Sequence, residues 1–320
     1  MANNSNMHAA KVAKNDEFYT LLTDIEKEMS HYKDFFKGKV VYCNCDDARE
    51  SNFFKYFSKN FEFLGLKKLI TTGYKAEGKG VVLIYEGDKN GNHKVEDNEI
   101  VVRELEGSGD FRSEECIEFL KEADVVVTNP PFSLFREYVK QLMDYGKKFI
   151  IIGNQNAITY KEIFPYIKNN ELWLGVSMNG ANRWFYAPDN YEVKENAAGY
   201  KVENGRKMFF VNGVVWFTNI SNEKRNKKLD LIRRYSNEYP KYDNYDAIEV
   251  SRVENIPMDY DGVMGVPISF LHKYNPEQFE IVGLMSGAKG ENLTNGNDGR
   301  AKFYIGGKGV YARILIKKSF

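Results

Sequence analysis

The stretch Ala123-Asp124-Val125-Val126-Val127-Thr128-Asn129-Pro130-Pro131-Phe132 restricts the fold of this chain more than any other. Its run of β-branched residues reads as a strand buried on both faces, the pattern of a parallel sheet. Two prolines then fix φ at about −65° and supply no backbone donor, so the strand ends in a stiff corner. In an open α/β sheet, ligands sit just beyond the carboxyl ends of strands. The carbonyls around Asn129 and Pro130 are therefore held facing whatever occupies that space.

The rest of the chain agrees with a parallel sheet. Phe18, Leu21, Leu22, Ile25, Met29, Tyr32 and Phe36 fall at helical spacing and predict a helix over 16–36, with Gly38 as its stop. A strand is expected at 39–45, a helix at 51–63 and a strand at 67–74. Residues 81–85 and 100–105, around the turn-rich 87–98, read as an inserted hairpin. Alternation resumes with a helix at 114–122, strand at 124–128, helix at 135–145, strand at 148–152 and helix at 160–169. Strands at 171–176 and 214–219 finish the sheet. The expected fold class is α/β, a Rossmann-like, doubly wound sheet of seven strands.

Past Tyr235 the character changes, with Pro240, Pro257, Pro267 and Pro276 punctuating short apolar runs, seven glycines within 286–309 and a strand at 310–316. The expected division is a flexible arm at 1–15, a catalytic domain at 16–235 and a separate loop-rich module at 236–320.

With 320 residues, 42% of them hydrophobic, the chain can build such a core and a smaller module. No apolar run reaches the roughly 18 to 20 residues of a membrane span, and residues 1–15 lack the apolar core of a signal peptide. A soluble, cytoplasmic protein is expected. Cys43, Cys45 and Cys116 cannot pair completely, and His8, His31, His93 and His272 are scattered, so neither disulfides nor a metal site is expected.

The 45 basic and 45 acidic residues leave no global field for a polyanion, so any nucleic-acid surface must be local. Candidates are Lys224, Arg225, Lys227, Lys228, Arg233 and Arg234, then Lys302, Lys308, Arg313, Lys317 and Lys318. Either group alone reads equally well as a solvated face.

The corner at 129–132 suits one kind of chemistry. An exocyclic amine is a poor nucleophile because its lone pair is delocalised into the ring. Two fixed acceptors for its N–H groups, the Asn129 side-chain oxygen and the Pro130 carbonyl, would favour the tetrahedral form that attacks. Phe132 would stack on the base and help offset the cost of extruding it from a duplex. The competing structural reading is an ordinary helix entry with Ser133 as its cap.

The corner resembles that of the amino-methyltransferases with an Asp/Asn-Pro-Pro-Tyr/Phe motif. Asn15-Asp16-Glu17-Phe18-Tyr19-Thr20, Val40-Val41-Tyr42-Cys43-Asn44-Cys45-Asp46-Asp47, Ser51-Asn52-Phe53-Phe54-Lys55-Tyr56-Phe57 and Val215-Trp216-Phe217-Thr218-Asn219 extend the likeness to the EcoRI-type adenine-specific DNA methyltransferase family. That resemblance implies methyl transfer from S-adenosyl-L-methionine (AdoMet) to N6 of a flipped adenine. Asn129, Pro130, Pro131 and Phe132 would then be catalytic.

Tyr19, Thr20, Asn44, Cys45, Asp46 and Asp47 match the segments near the methionine part of the cofactor. They depart from the glycine-rich turn found in many methyltransferases. Asp110 and Phe111 resemble the pair that meets the cofactor adenine. For the ribose hydroxyls, Glu77 and Glu86 are both candidates. Trp216, Phe217 and Asn154 are candidates for the base pocket, although aromatic residues inside strands are more often core.

The resemblance also implies double-stranded DNA as partner, a monomer, and a cognate restriction endonuclease. The module at 236–320 would recognise the target, with the basic residues of 224–234 on phosphates. The rival readings are a protein-glutamine or RNA amino-methyltransferase, and a DNA-binding protein of the same fold without activity. A cytosine enzyme would more usually carry Ser in place of Asn129. The recognised DNA sequence is not readable from the chain.

Overall fold

Valines at 125–127 form a strand with no exposed residue, and the chain on either side folds to cover it. The computed structural model describes residues 19–180, 183–187, 199–285 and 303–319. The arm at 1–15, Asp16 to Phe18, and Lys302 with most of the glycine-rich tract lie outside the described residues.

By its internal contacts the chain divides into two units, residues 1–154 with 180–220, and residues 155–179 with 221–320. Seven strands of the main sheet fall in the first: β1 (Val40–Asp46), β2 (Lys68–Gly73), β3 (Val81–Tyr85), β4 (Ile100–Glu104), β5 (Val125–Thr128), β6 (Lys148–Asn154) and Val214–Thr218. They lie in the order β4-β3-β2-β1-β5-β6, then Val214–Thr218. β1 pairs in parallel with β2 and with β5, and β5 in parallel with β6. β3 and β4 form the expected hairpin, Val81 opposite Glu104.

The chain thus leaves β1 in one direction and returns to its other side at β5. This reversal opens a crevice between the two strand ends, the usual ligand position of a doubly wound sheet. Asp124 fixes the register from below, its Oδ2 accepting from the Val40 amide at 2.8 Å.

Two expected helices are shorter than their periodicity suggests, each for a local reason. The first runs only from Leu22 to Met29, because Ser30 Oγ turns back to donate to the Lys27 carbonyl and the chain tightens into a 3-10 turn, Lys33–Phe36. The second, Asn52–Lys59, breaks at Asn60, whose Nδ2 donates to the Tyr56 carbonyl at 2.8 Å. Phe61–Leu64 continues it to Gly65, where φ is +61°. The apolar faces remain as expected: Phe53, Phe57, Phe61, Ile25, Met29 and Phe36 are all buried.

A further small sheet, Arg183–Tyr186, Tyr200–Glu203 and Arg206–Val211, has no counterpart in the sequence reading. Asn204 and Gly205, at φ +51° and +75°, join its last two strands. That Asn-Gly pair is the strongest short hairpin signal.

In the second unit, Ile248–Glu249, Met264–Pro267, Arg313–Lys318 and Phe279–Met285 form a four-stranded sheet. Ile281, Ile314, Leu315, Ile316, Val266 and Phe270 are buried there, so the segment expected to be loop-rich carries a core of its own. The segment expected at 171–176 as a strand is short, Trp173–Leu174, and groups by its contacts with this unit. Among the described residues no helix is long and apolar enough to cross a membrane.

Candidate active site

Since β1 and β5 are parallel neighbours, the two segments singled out in the sequence emerge side by side. From β5 comes Asn129, 8% exposed, followed by buried Pro130 and Pro131 and half-buried Phe132. A single 3-10 turn, Phe132–Leu134, closed by the Leu134 amide on the Pro131 carbonyl at 3.0 Å, precedes the helix Phe135–Asp144. Leu134, not Ser133, occupies the position that caps this helix. The expected cap at Ser133 is therefore not the one this helix uses.

From β1 come Asn44 and Cys45, both buried, and Asp46, whose side chain lies outside what the structure describes. Cys45 takes a φ of +64°, a left-handed conformation that favours glycine, and the pairing of β1 with β2 is interrupted between Cys43 and Asp46. Here a non-glycine residue makes the bend that glycine makes elsewhere. Asp47 is exposed; its Oδ1 accepts from the amides of Arg49 and Glu50, both at 2.9 Å, and so closes the turn.

The two ends are joined directly. Thr128 Oγ1 donates to the Asn44 carbonyl, and Tyr138, on the helix after the prolyl corner, donates its hydroxyl to Asn44 Oδ1. Burial pushes the Tyr138 hydroxyl well above its ordinary pKa, so it remains a donor. With Oδ1 committed, the Asn44 amide presents its NH2.

Thr20 reaches the same region. Its carbonyl accepts from Asn52 Nδ2 at 2.7 Å, at the start of the helix after β1. Its Oγ1 is buried without a partner among the described residues. Tyr19 is half-buried and bridged by backbone to Tyr186, at 2.8 and 3.0 Å.

Asp110 and Phe111 follow a loop laid tightly on the end of β2. A Cβ on Gly80 would stand 2.5 Å from the Gly73 carbonyl oxygen and 2.7 Å from that of Ser108, and Gly109 has a φ of +80° over the same carbonyl. Only glycines allow this approach. Asp110 accepts from Arg112 Nη2 at 2.6 Å and Nε at 2.9 Å, which holds its carboxyl below the usual range. Phe111 is buried, edge-on to Tyr138 at 5.0 Å, and its carbonyl accepts from Gln141 Nε2 at 3.2 Å.

Comparison with known proteins identifies the family. Residues 6–319 match the family described as adenine-specific methyltransferase EcoRI. The chain belongs to that family. It is 48% identical over 327 residues, covering 99% of this chain and 97% of the other, to Type II methyltransferase M.EcoRI of Escherichia coli. It is also 38% identical over 319 residues to M.MgeORF184P of Mycoplasma genitalium and to M.MpnI of Mycoplasma pneumoniae, in each case covering 97% of both chains. The expectation of an α/β methyltransferase specific for adenine is borne out.

In this adenine-specific methyltransferase, the side chains that sequence reasoning missed are Tyr138 and Gln141. They lie one helical turn apart on the helix that begins at the prolyl corner, and they tie that helix to Asn44 and Phe111. The signal was present: a tyrosine on the apolar face Phe135, Tyr138, Val139, Leu142 needs a partner for its hydroxyl.

Trp216 and Phe217, considered for the base pocket, are wholly buried in the core, Trp216 edge-on to Phe53 and Phe217 against Phe135. Asn154 is half-buried and donates to the Asn212 carbonyl at 2.8 Å. Glu77 and Glu86 are both exposed.

The candidate DNA-binding residues all fall in the second unit. Lys227, Lys228, Arg233 and Arg234 are exposed on irregular chain rather than on a helix, while Lys224 and Arg225 are half-buried. Arg313 is an interior group, its guanidinium paired with Glu249 at 2.6 Å, so it does not belong to a phosphate-binding surface. Lys318 is held by Asp261 at 3.1 Å.

Proposed function

We propose that the corner Asn129–Phe132 receives an adenine swung out of double-stranded DNA, and that the β1 end beside it holds the methyl donor AdoMet. The chain is an adenine-specific DNA methyltransferase. The observation that carries the arrangement is the adjacency of β1 and β5, with Asn44 and Thr128 in direct contact.

The residues at the β1 end fit the cofactor. Thr20 Oγ1 is a buried polar atom in want of a partner, the Asn44 NH2 suits a carboxylate, and Asp110 is a charged acceptor suited to an adenine amine. Tyr19, Thr20, Asn44, Cys45, Asp46, Asp47, Asp110 and Phe111 would hold it. When bound, AdoMet supplies a methyl carbon made electrophilic by its sulfonium.

Asn129 Oδ1 and the Pro130 carbonyl accept the two N–H bonds of the adenine amine, draw its lone pair out of conjugation and aim it. Phe132 stacks on the ring. The corner is rigid before substrate arrives, so little reorganisation is needed at the moment of attack. The proton leaves once the nitrogen is cationic, and no strong base is required.

Lys224, Arg225, Lys227, Lys228, Arg233 and Arg234 contact phosphates, while the module that follows reads base edges. The chain acts as a monomer in the cytoplasm, as the modifying half of a restriction-modification system, with a cognate endonuclease as its counterpart. The test is incubation of the purified chain with DNA and tritiated AdoMet, followed by mapping of methyladenine. Label at N6 of adenine within one short sequence is expected. Label in protein or RNA instead, or cofactor binding with no label in any DNA, overturns the reading.

A further inference from the structure

The second unit carries a small recess of about 10 Å³, half-open to solvent, lined among others by Trp173, Asn222, Lys224, Arg225, His272 and Tyr274, with no carboxylate in its wall. The Arg225 guanidinium lies over the Trp173 indole, 3.8 Å from the ring centroid. It has no carboxylate at ion-pair distance among the described residues, although burial disfavours its charge. An arginine cannot shed its proton, so a half-buried, uncompensated positive charge is built in at a cost.

Beside Leu174 and Leu271, the wall carries further polar groups fixed in place. Lys224 Nζ donates to Asn179 Oδ1 at 3.0 Å and to the Val176 carbonyl at 3.2 Å, which holds a second cation there. His272 Nδ1 is buried without a partner among the described residues, and burial beside Lys224 pushes that imidazole down to about 4, so it is neutral at physiological pH. Two cations, a neutral imidazole and no acid make a seat for an anion. The planar guanidinium, oriented by its stack on indole, suits the paired oxygens of a phosphate.

We infer that one backbone phosphate of the bound DNA docks at the open mouth of this recess, with Arg225 as its two-pronged donor, Lys224 as the flanking charge and Trp173 as the platform that orients Arg225. The inference rests on the DNA reading above and narrows it. Exposed Lys227, Lys228 and Arg233 supply diffuse attraction, whereas the recess fixes the register of the strand.

The test measures binding of the full-length chain to a fluorescent duplex containing a sequence it methylates, across a range of salt. Arg225→Gln is expected to lower the slope of log affinity against log salt by about 0.9, the value for one phosphate. Arg225→Lys keeps the charge, and is expected to retain the slope while binding more weakly. Trp173→Ala changes no charge, yet is expected to weaken binding because Arg225 loses its platform. Unchanged cofactor affinity in each variant reports intact folding.

Neutral methylphosphonate linkages, placed one at a time along the duplex, then locate the contact. At one position the linkage should weaken the wild type distinctly more than Arg225→Gln. If wild-type affinity does not depend on salt, the DNA-phosphate reading falls and this inference with it. If it does, but every linkage acts alike on wild type and Arg225→Gln, the recess holds no phosphate and only the present inference is overturned.

Discussion

The two corners at the crevice are made rigid by different means. After β5 the chain is stiff by covalent constraint, because Pro130 and Pro131 have lost the freedom to rotate φ. After β1 there is neither proline nor glycine; Cys45 bends at φ +64° and the turn is held by Thr128, Tyr138 and the Asp47 carboxylate. The first corner is stiffened by its own chain, the second by its neighbours. The acceptors expected to act on the substrate amine thus sit on a covalently stiffened corner, whereas the end proposed for the cofactor is tied to the helix that follows that corner.

The sharpest test removes function from the first corner without altering its shape. Asn129→Ala is expected to lower methyl transfer in single-turnover assays by about 10²–10³-fold or more, the scale for loss of one preorganised group at a reacting centre, with cofactor binding retained. Unchanged turnover would defeat the role given to Asn129.

The second corner should instead fail at binding. Tyr138→Phe deletes the clamp on Asn44 and is expected to weaken AdoMet binding by roughly 5- to 10-fold in calorimetry, with a loss of about 1 kcal/mol in urea unfolding. If the loss appears only in the rate of methyl transfer at saturating AdoMet, Tyr138 serves chemistry rather than cofactor binding.

A smaller effect probes the bend. Cys45→Gly relieves a left-handed conformation but loosens the unfolded chain, so stability should stay within about 1 kcal/mol of the wild type. Cys45→Val should destabilise further than that. Equal losses from both would mean that burial of the thiol, and not the bend, is what position 45 requires.

The smallest effect is visible only in acid. Arg112 depresses the Asp110 pKa, so the stabilisation from their pairing is present above the unfolded value of about 3.9 and is lost as pH falls through the lower, folded value. Arg112→Gln returns Asp110 toward the ordinary range. Its AdoMet affinity should match the wild type at pH 7.5 and fall earlier as pH drops below about 5, measured by equilibrium binding. A wild-type profile that already falls there would show that Asp110 does not contact the cofactor.

Much of the first unit was legible in the chain because its information is local. Valine runs, helical spacing and a double proline act over a few residues, and they place β1, β2, β5, β6, the β3–β4 hairpin and the corner at 129–132. Where helices ended early, the cause was an equally local competitor, Ser30 or Asn60, whose side chain bonds its own backbone. The Asn204-Gly205 hairpin carries an equally local signal, two residues that accept a positive φ.

What the sequence by itself determined is a parallel sheet with a rigid set of acceptors at a strand end, and through its motifs the family to which it belongs. Only the tertiary structure decided that Tyr138 clamps Asn44 from 94 residues away, that Arg313 is spent inside on Glu249, and that Trp173 lies under Arg225. Such pairings join residues far apart in the chain. No local preference encodes them, and they exist only once the packing of the fold has brought the segments together.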